Sequence, residues 1–224
     1  MNKRRVLVGM SGGGDSSVAA LLLARQGHET AGATFLRWGD EGDAGRDAKS
    51  VCDRLGIPHH VLDLRDAFRA QVVDAFAQAY REGKTPNPCV SCNRAIKFPA
   101  FLREARALGC DAVATGHYVR LDCDEARGLY RLRRGASEKK DQSYVLWSLT
   151  QELLASALFP LGGYSKEPVR AMALEHGLVS ADRPESQDIC FVPDGDYAGF
   201  LRAYTGEEDI PGPFLDGGQK VLGM

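Results

Sequence analysis

Residues 5–17 read Arg-Val-Leu-Val-Gly-Met-Ser-Gly-Gly-Gly-Asp-Ser-Ser, and this stretch decides the fold. The apolar run from Val6 to Val8 predicts a short buried strand, and the run from Val18 to Ala24 predicts a helix. The three glycines Gly12–Gly14 join them and leave a bare backbone that can adopt positive φ. Because this loop opens a helix whose N-terminus carries a partial positive charge, the stretch predicts a phosphate-binding site.

Two common nucleotide-binding loops do not fit this stretch. A Walker A loop is excluded because no Gly-Lys-Ser/Thr follows, and a dinucleotide loop fits poorly because the G-x-G-x-x-G spacing is missing. The remaining pattern, Ser11-Gly-Gly-Gly-Asp-Ser16, resembles the loop of the ATP pyrophosphatase (PP-loop) superfamily. That resemblance implies cleavage of ATP to AMP and pyrophosphate, with adenylation of a carbonyl oxygen. We expect the Ser11 and Ser16 hydroxyls to add donors, and Asp15 to cap the helix or help hold Mg²⁺.

Length and composition predict one large α/β domain with a small appendage. The chain has 224 residues, of which 44% are hydrophobic and 26% charged, and its formal net charge is −2. The net charge gives no general footprint for nucleic acid. One local basic run is compatible with either RNA binding or a solvated face: Arg131, Arg133, Arg134, Lys139 and Lys140.

We expect a cytoplasmic protein with no membrane partner. No apolar run approaches the roughly 20 residues that span a bilayer. The start of the chain, Met1–Arg5, leads directly into the first predicted strand, so no secretory signal peptide is expected. Six cysteines in such a chain indicate chemistry or metal binding before disulfides.

Strands and helices alternate along the first half of the chain. This order predicts a doubly wound, mostly parallel sheet with helices on both faces, that is, an α/β fold. The further predicted strands are Thr30–Leu36, His59–Leu64 and Asp111–Thr115, with a hairpin over 118–135 and a strand-like piece at Ile189–Phe191. The predicted helices are Asp47–Leu55, Asp66–Arg81, Phe98–Leu108, Val145–Ala157, Ser165–Gly177 and Tyr197–Tyr204. Residues 85–98 predict a rigid loop without periodicity, and 182–188 a second loop.

Cys89, Cys92 and Cys190 form the second candidate site. Cys-x-x-Cys is typical of a metal or redox pair, but a closed zinc site normally has a second pair. Three cysteines can hold a 4Fe–4S cluster with one open iron. Without metal, one cysteine can carry a persulfide that another attacks. An ATP-cleaving loop together with reactive cysteines suggests that sulfur displaces AMP from an activated carbonyl.

Six motifs in order resemble the tRNA-uridine 2-sulfurtransferase (tRNA-specific 2-thiouridylase) family, over residues 5 to about 204. They are Gly9-Met-Ser-Gly-Gly-Gly-Asp-Ser-Ser, Thr85-Pro-Asn-Pro-Cys-Val-Ser-Cys-Asn, Ile96-Lys-Phe, Ala114-Thr-Gly-His-Tyr, Lys140-Asp-Gln-Ser-Tyr and Asp188-Ile-Cys-Phe. The resemblance implies ATP-dependent replacement of the C2 oxygen of the wobble uridine of tRNA by sulfur. The implied partners are tRNA and a sulfur donor, either a persulfide carrier protein or hydrosulfide.

The same resemblance implies roles for particular residues. Cys92 matches the nucleophile and Cys190 the persulfide carrier, with Cys89 and Asp15 also in the catalytic set. The residues matched to ATP binding are Gly9, Met10, Ser11, Gly12, Gly13, Gly14, Asp15, Ser16, Leu36 and Gly116. Those matched to tRNA are Asn87, Pro88, Cys89, His117, Lys140, Asp141 and Gln142.

Three departures from the family pattern affect these expectations. Gly14 stands where Val is common, which adds flexibility to the loop. Cys89 stands where many members have Asp, and this form fits a 4Fe–4S cluster on Cys89, Cys92 and Cys190. Family members continue into a β-rich linking domain and a β-barrel domain. We therefore expect residues 1–204 to form the catalytic domain, with a helical tRNA-binding part at about 136–204, and 205–224 to begin a domain that this chain lacks.

Two other functions remain open from the sequence. A PP-loop ligase acting on a small molecule would explain residues 5–17 but would leave the three cysteines without a role. A truncated relic that binds nucleotide or metal without catalysis would fit the short chain.

Overall fold

A five-stranded parallel sheet organises the computed structural model, which describes residues 3–40, 45–178, 189–208 and 210–223. Its strand order is β3-β2-β1-β4-β7, and all four pairings are parallel. The strands are β1 (Arg5–Gly9), β2 (Glu29–Leu36), β3 (His59–Asp63), β4 (Ala112–Ala114) and β7 (Ala157–Leu158). An antiparallel hairpin, β5 (Val119–Asp124) and β6 (Leu129–Arg134), stands apart from this sheet.

Helices cover both faces of the sheet, as the alternation along β1 requires. Val6 and Val8 point into one hydrophobic cluster, and Leu7 between them points into another. The first cluster packs the sheet against α1 (Gly14–Arg25), α2 (Arg46–Leu55) and α8 (Lys166–Glu175). The second packs it against α6 (Phe101–Ala107) and α7 (Gln151–Ala155). The predicted doubly wound α/β fold is confirmed.

Two long helices contain π-helical segments. The first runs through α3 (Arg65–Phe68), a π segment at Arg69–Val73 and α4 (Asp74–Arg81). The second runs through α5 (Pro88–Cys92), a π segment at Asn93–Ala100 and α6. Hydrogen bonds in a π segment span five residues, which widens the turn and shifts the face that each side chain occupies.

The second of these helices corrects the prediction for residues 85–98. We expected a loop without periodicity there, but helix begins at Pro88 and continues unbroken to Ala107. Pro88 occupies the first helical turn, where its missing N–H costs nothing. Pro99 lies inside the π segment, so the change of period hid the helix from a 3.6-residue pattern.

Other predictions near the end of the chain were also wrong. The predicted helix at Val145–Ala157 is replaced by a 3₁₀ turn at Ser143–Val145, the short helix α7 and the edge strand β7. Ile189–Phe191 leads into a turn and not a strand. The predicted loop at 182–188 lies outside the described residues.

The helix α9 (Tyr197–Thr205) is confirmed, and a small exposed hairpin follows, made of β8 (Phe214–Leu215) and β9 (Val221–Gly223).

Helix α9 is fixed by an aromatic cluster. Trp38 packs edge-on against Phe200 and Tyr204, and Phe191 packs against Phe76. This cluster anchors the segment that carries Cys190 beside the end of β2. Within the described part of the chain, no helix is both long and apolar enough to cross a membrane.

Candidate active site

The strand order reverses between β1 and β4. From β1 the chain proceeds outward to β2 and β3 on one side, whereas β4 and β7 lie on the other. In an open parallel sheet, the carboxyl ends of the strands at such a reversal border a ligand crevice. Gly9 ends β1 at this edge and Met10 follows it, and Gly116 follows β4 there. The predicted nucleotide-binding residues of these two strands therefore lie at one place.

The glycine-rich loop turns tightly from β1 into α1. Gly12 has a φ of +74°, a conformation that residues with a Cβ rarely adopt. Gly13 is the N-cap residue and Gly14 is the first residue of α1. The hydroxyls of Ser16 and Ser17 both donate to the Gly13 carbonyl at 3.0 Å. The loop therefore presents backbone N–H groups at a helix N-terminus, which is the arrangement expected for phosphate.

Ser11 closes the loop on itself. Its backbone N–H donates to Ser16 Oγ at 3.2 Å, and its own hydroxyl accepts from the Gly13 N–H at 3.4 Å. These short-range bonds hold the concave shape of the loop without a ligand.

Asp15 does not cap α1, so that prediction was wrong. Its carboxylate lies in the first turn and points sideways, where Tyr118 and Lys166 donate to it. The Tyr118 hydroxyl lies 2.8 Å from Oδ1, and Lys166 Nζ lies 2.8 and 2.9 Å from the two carboxylate oxygens. The ammonium group of Lys166 lies against both oxygens, so the Asp15 carboxylate is already paired with a cation in this arrangement, and we assign no step to Mg²⁺ on it.

A glycine is needed at position 116 because the backbone at the start of α1 lies close to it. A Cβ at this position would lie 3.0 Å from the Asp15 carbonyl carbon and from the Ser16 nitrogen. The predicted ATP residue Leu36 ends the neighbouring strand β2 and is half-buried. Gly9, by contrast, has room for a Cβ at ordinary contact distance.

The Cys-x-x-Cys pair begins a helix. Asn87 is the N-cap of α5, and its side-chain oxygen accepts from the Cys89 N–H at 3.0 Å. Pro88 is buried behind it, Cys89 is exposed, and Cys92 is 8% exposed. Asn93 is 1% exposed and donates from Nδ2 to the Cys89 carbonyl at 3.0 Å. Asn87 and Asn93 therefore fix the turn from both ends.

Cys190 lies in the same neighbourhood although it is far along the chain. Its thiol lies near enough to the side chains of Cys89, Cys92 and Arg37 to affect their pKa values. Arg37 directly follows Leu36 at the carboxyl end of β2 and is held by Asp40 at 3.0 Å. The three cysteines therefore border the same edge of the sheet as the glycine-rich loop.

Burial raises the pKa of the Cys92 thiol to about 11, so this thiol is protonated at neutral pH. Partial loss of hydration also raises the pKa of Cys89, although the residue as a whole is exposed, and the positive charge of Lys97 acts in the opposite direction on both thiols. Lys97 lies five residues after Cys92, in the π segment whose hydrogen bonds span five residues.

The three neighbouring cysteines were also a predicted metal site. Among the described residues, no group of three or more His, Cys, Asp or Glu side chains could hold a metal ion. A 4Fe–4S cluster on Cys89, Cys92 and Cys190 therefore stays a prediction, and we derive no step through one.

His117 is buried at the end of β4. Its Nδ1 shares a 2.7 Å hydrogen bond with Thr115 Oγ1, and its ring packs against those of Phe98 and Phe159. Burial, with a smaller effect from Lys97, lowers the pKa of His117 to about 3. The imidazole is therefore neutral at physiological pH and can act there only as a neutral hydrogen-bonding group.

The three residues matched to tRNA at 140–142 do not share one role. Asp141 accepts from the Gly135 N–H at 2.8 Å and from the Ser143 hydroxyl at 2.7 Å. Burial acts to raise the pKa of Asp141, but these bonds outweigh it and the pKa is lowered. Gln142 holds the backbone of Tyr118 through two hydrogen bonds, of 3.0 and 3.1 Å. Both side chains are therefore engaged in holding the fold, whereas Lys140 belongs to an exposed 3₁₀ turn.

Sequence reasoning missed Lys166, Tyr118 and Asn93 as site residues. Tyr118 and Asn93 stand inside motifs that were singled out, so their position in those motifs was a usable signal. Lys166 lies 151 residues from Asp15, and no local pattern connects the two.

Comparison with known proteins identifies the family. A model of the family described as tRNA methyl transferase HUP domain matches residues 4–194. The chain belongs to this family. Two similar members of known name are tRNA-specific 2-thiouridylases MnmA. The one from Carboxydothermus hydrogenoformans is 49% identical and aligns with 100% of this chain and 65% of its own length. The one from Chloroflexus aurantiacus is 51% identical over 94% of this chain and 62% of its own length.

The chain thus spans less than two thirds of the length of these two relatives.

Solved structures with a similar fold support the architecture described above. A 4-thiouridine synthetase in complex with RNA and ATP has a TM-score of 0.56 at 16% identity, covering 89% of this chain and 50% of that one. The U34-tRNA thiolase NcsA from Methanococcus maripaludis, with its [4Fe-4S] cluster, has a TM-score of 0.51 at 21% identity, covering 91% and 67%. At these identities the likeness concerns the fold alone.

Proposed function

We propose that this chain is the ATP-cleaving, sulfur-transferring part of a tRNA 2-thiouridylase. In this reaction the C2 oxygen of the wobble uridine of tRNA is adenylated and replaced by sulfur, with release of AMP and pyrophosphate. One observation carries the proposal: the glycine-rich loop and the cysteines 89, 92 and 190 border the same edge of the sheet. The names of relatives 49% and 51% identical to the chain support the same reaction.

The glycine-rich loop and the cysteines would serve two successive steps, adenylation and sulfur transfer. The loop would hold the phosphates of ATP by its N–H groups while the uridine oxygen attacks the α-phosphorus and pyrophosphate leaves. The adenylated oxygen is then a leaving group. The outer sulfur of a persulfide on Cys190 would attack C2 of the base, and AMP would depart.

The sulfur must next be released from Cys190. The Cys92 sulfur would attack the Cys190 sulfur as its own proton leaves, which forms a Cys92–Cys190 disulfide and leaves the transferred sulfur on the base. A thiol reductant then reopens the disulfide, and an external persulfide reloads Cys190 by transferring its outer sulfur to the thiol, which leaves the donor as a thiol. Cys89, at the exposed start of α5, would lie beside the base together with Asn87.

Product analysis with labelled ATP tests the reaction. We expect AMP and pyrophosphate, in amounts that depend on added tRNA with an unmodified wobble uridine. Cys92→Ser and Cys190→Ser should abolish sulfur transfer while ATP binding persists. Formation of ADP and phosphate, or AMP formation that is independent of tRNA, would contradict the proposal and favour a ligase of another kind.

The alternative sulfur chemistry through a 4Fe–4S cluster is tested separately. Anaerobically purified wild type and Cys89→Ala are compared by absorption spectrum and by iron and sulfide assays. The persulfide route predicts a colourless wild-type protein without stoichiometric iron. About four irons per chain that disappear in Cys89→Ala would replace it with the cluster route.

A further inference from the structure

Helix α8 brings a lysine to the glycine-rich loop. Lys166 is the first residue of α8, and Asp15 lies in the first turn of α1. We propose that Lys166 binds the phosphate chain of the nucleotide, with Asp15 and Tyr118 holding it in place. This inference rests on the proposed function, because it adds a residue to the ATP site.

The position of Lys166 is set by the core. Val169 and Ala173 on α8 are 1% exposed and belong to the same hydrophobic cluster as Val18 and Ala19 on α1. The two helices are therefore packed together, and the first residue of α8 meets the first turn of α1. Nζ of Lys166 lies 2.8 and 2.9 Å from the two carboxylate oxygens of Asp15.

The charge balance at the loop requires a cation. The N-terminus of α1 attracts phosphate, but a lone Asp15 carboxylate in its first turn would oppose that attraction. Lys166 offsets this charge. An ammonium group has three N–H donors, so it can bridge a carboxylate and a phosphate at the same time. A lysine acting as a point charge toward phosphate is a common arrangement beside glycine-rich loops.

A purely stabilising role explains the pair less well. The side chains of Lys166 and Asp15 are 26% and 31% exposed, so the pair remains open to solvent beside the loop. Ion pairs with such exposure contribute about 0–1 kcal/mol to stability. The Tyr118 hydroxyl, by contrast, is supplied by a side chain 3% exposed, which fixes the carboxylate from the buried side.

Calorimetric titration tests the inference without tRNA. ATP with Mg²⁺ and adenosine are titrated into the wild type, Lys166→Met, Lys166→Arg and Lys3→Met. Lys3 lies just before β1, at the amino ends of the strands, whereas the glycine-rich loop lies at their carboxyl ends. Lys3→Met therefore removes the same charge at a distance from the loop. We expect Lys166→Met to weaken ATP binding about 10- to 100-fold, as loss of a charge-assisted hydrogen bond predicts. Adenosine binding should change less than about twofold, and Lys166→Arg should recover most of the ATP affinity.

Each other outcome counts against the inference. ATP binding by Lys166→Met within about twofold of the wild type would show that the ammonium does not contact phosphate. An equal loss for ATP and adenosine would show that the substitution only distorts the pocket, and circular dichroism of the variant would report the same change. A wild-type chain that binds no ATP would overturn the proposed function itself, and the inference with it.

Discussion

The neutral, buried His117 makes a quantitative prediction about stability and pH. Its side chain is 8% exposed, and burial lowers its pKa from 6.5 to about 3. The folded chain therefore binds this proton much less readily than the unfolded chain. The neutral His117 therefore lowers the free energy of unfolding very little above about pH 6.5, and this free energy falls as the pH decreases toward 3. Linkage gives a loss of about 1.4 kcal/mol per pH unit over that range, or about 5 kcal/mol in total.

The perturbation is His117→Gln, and the assay is urea unfolding followed by circular dichroism at several pH values between 7 and 4. Other groups also titrate in this range, so the difference between the two curves is the quantity of interest. The free energy of unfolding of the wild type should fall more steeply than that of the variant, by about 1.4 kcal/mol per pH unit. Phe101→Leu, which weakens the core without removing a titratable group, should lower the curve but keep the wild-type slope. Parallel curves for the wild type and His117→Gln would refute the assignment of a neutral imidazole.

Three further substitutions test the site. Gly116→Ala places a Cβ 3.0 Å from backbone atoms of Asp15 and Ser16, and should cost about 1–3 kcal/mol with a lower melting temperature and weaker ATP binding; an unchanged protein would contradict the close approach. Tyr118→Phe removes one donor to Asp15 and should lower the free energy of unfolding by about 1–3 kcal/mol in urea titration; no change would mean that the hydroxyl bond is not made. Asn93→Ala removes the bond to the Cys89 carbonyl and should cost about 1–3 kcal/mol by the same measurement, whereas a neutral result would show that the Cys-x-x-Cys turn holds without it.

The nucleotide half of the site was predictable because its signals are local. An apolar triplet, a run of glycines and a longer apolar run follow one another within residues 5–24. Strand, loop and helix can therefore each be predicted from residues that are adjacent in the sequence. The order of the strands then placed Gly116 beside the loop, since the carboxyl ends of parallel strands share an edge.

The three cysteines of the site were predicted from the sequence, but the helix that holds two of them was not. The turn at Asn87–Cys92 opens a helix, and the π segment after it changes the spacing on which sequence patterns depend. The edge strand β7 has only two residues, which is too few to carry a pattern.

Contacts between distant parts of the chain were beyond local reasoning. The pairing of Lys166 with Asp15 and the approach of Cys190 to Arg37 both depend on how whole helices pack. The division at residue 204, with a tRNA-binding part at about 136–204, stays a prediction, as do the matched roles of Cys89, Cys92 and Cys190.

Nucleoside mass spectrometry of tRNA after reaction with this chain tests directly whether the glycine-rich loop and the cysteines carry out sulfur transfer together. The reaction contains ATP, Mg²⁺, a persulfide donor, a thiol reductant, and tRNA with an unmodified wobble uridine. We expect 2-thiouridine at that position, together with AMP, in the wild type, and no 2-thiouridine with Cys92→Ser or Cys190→Ser. Persistence of plain uridine while AMP and pyrophosphate accumulate, or 2-thiouridine formed equally well by both variants, would contradict this expectation.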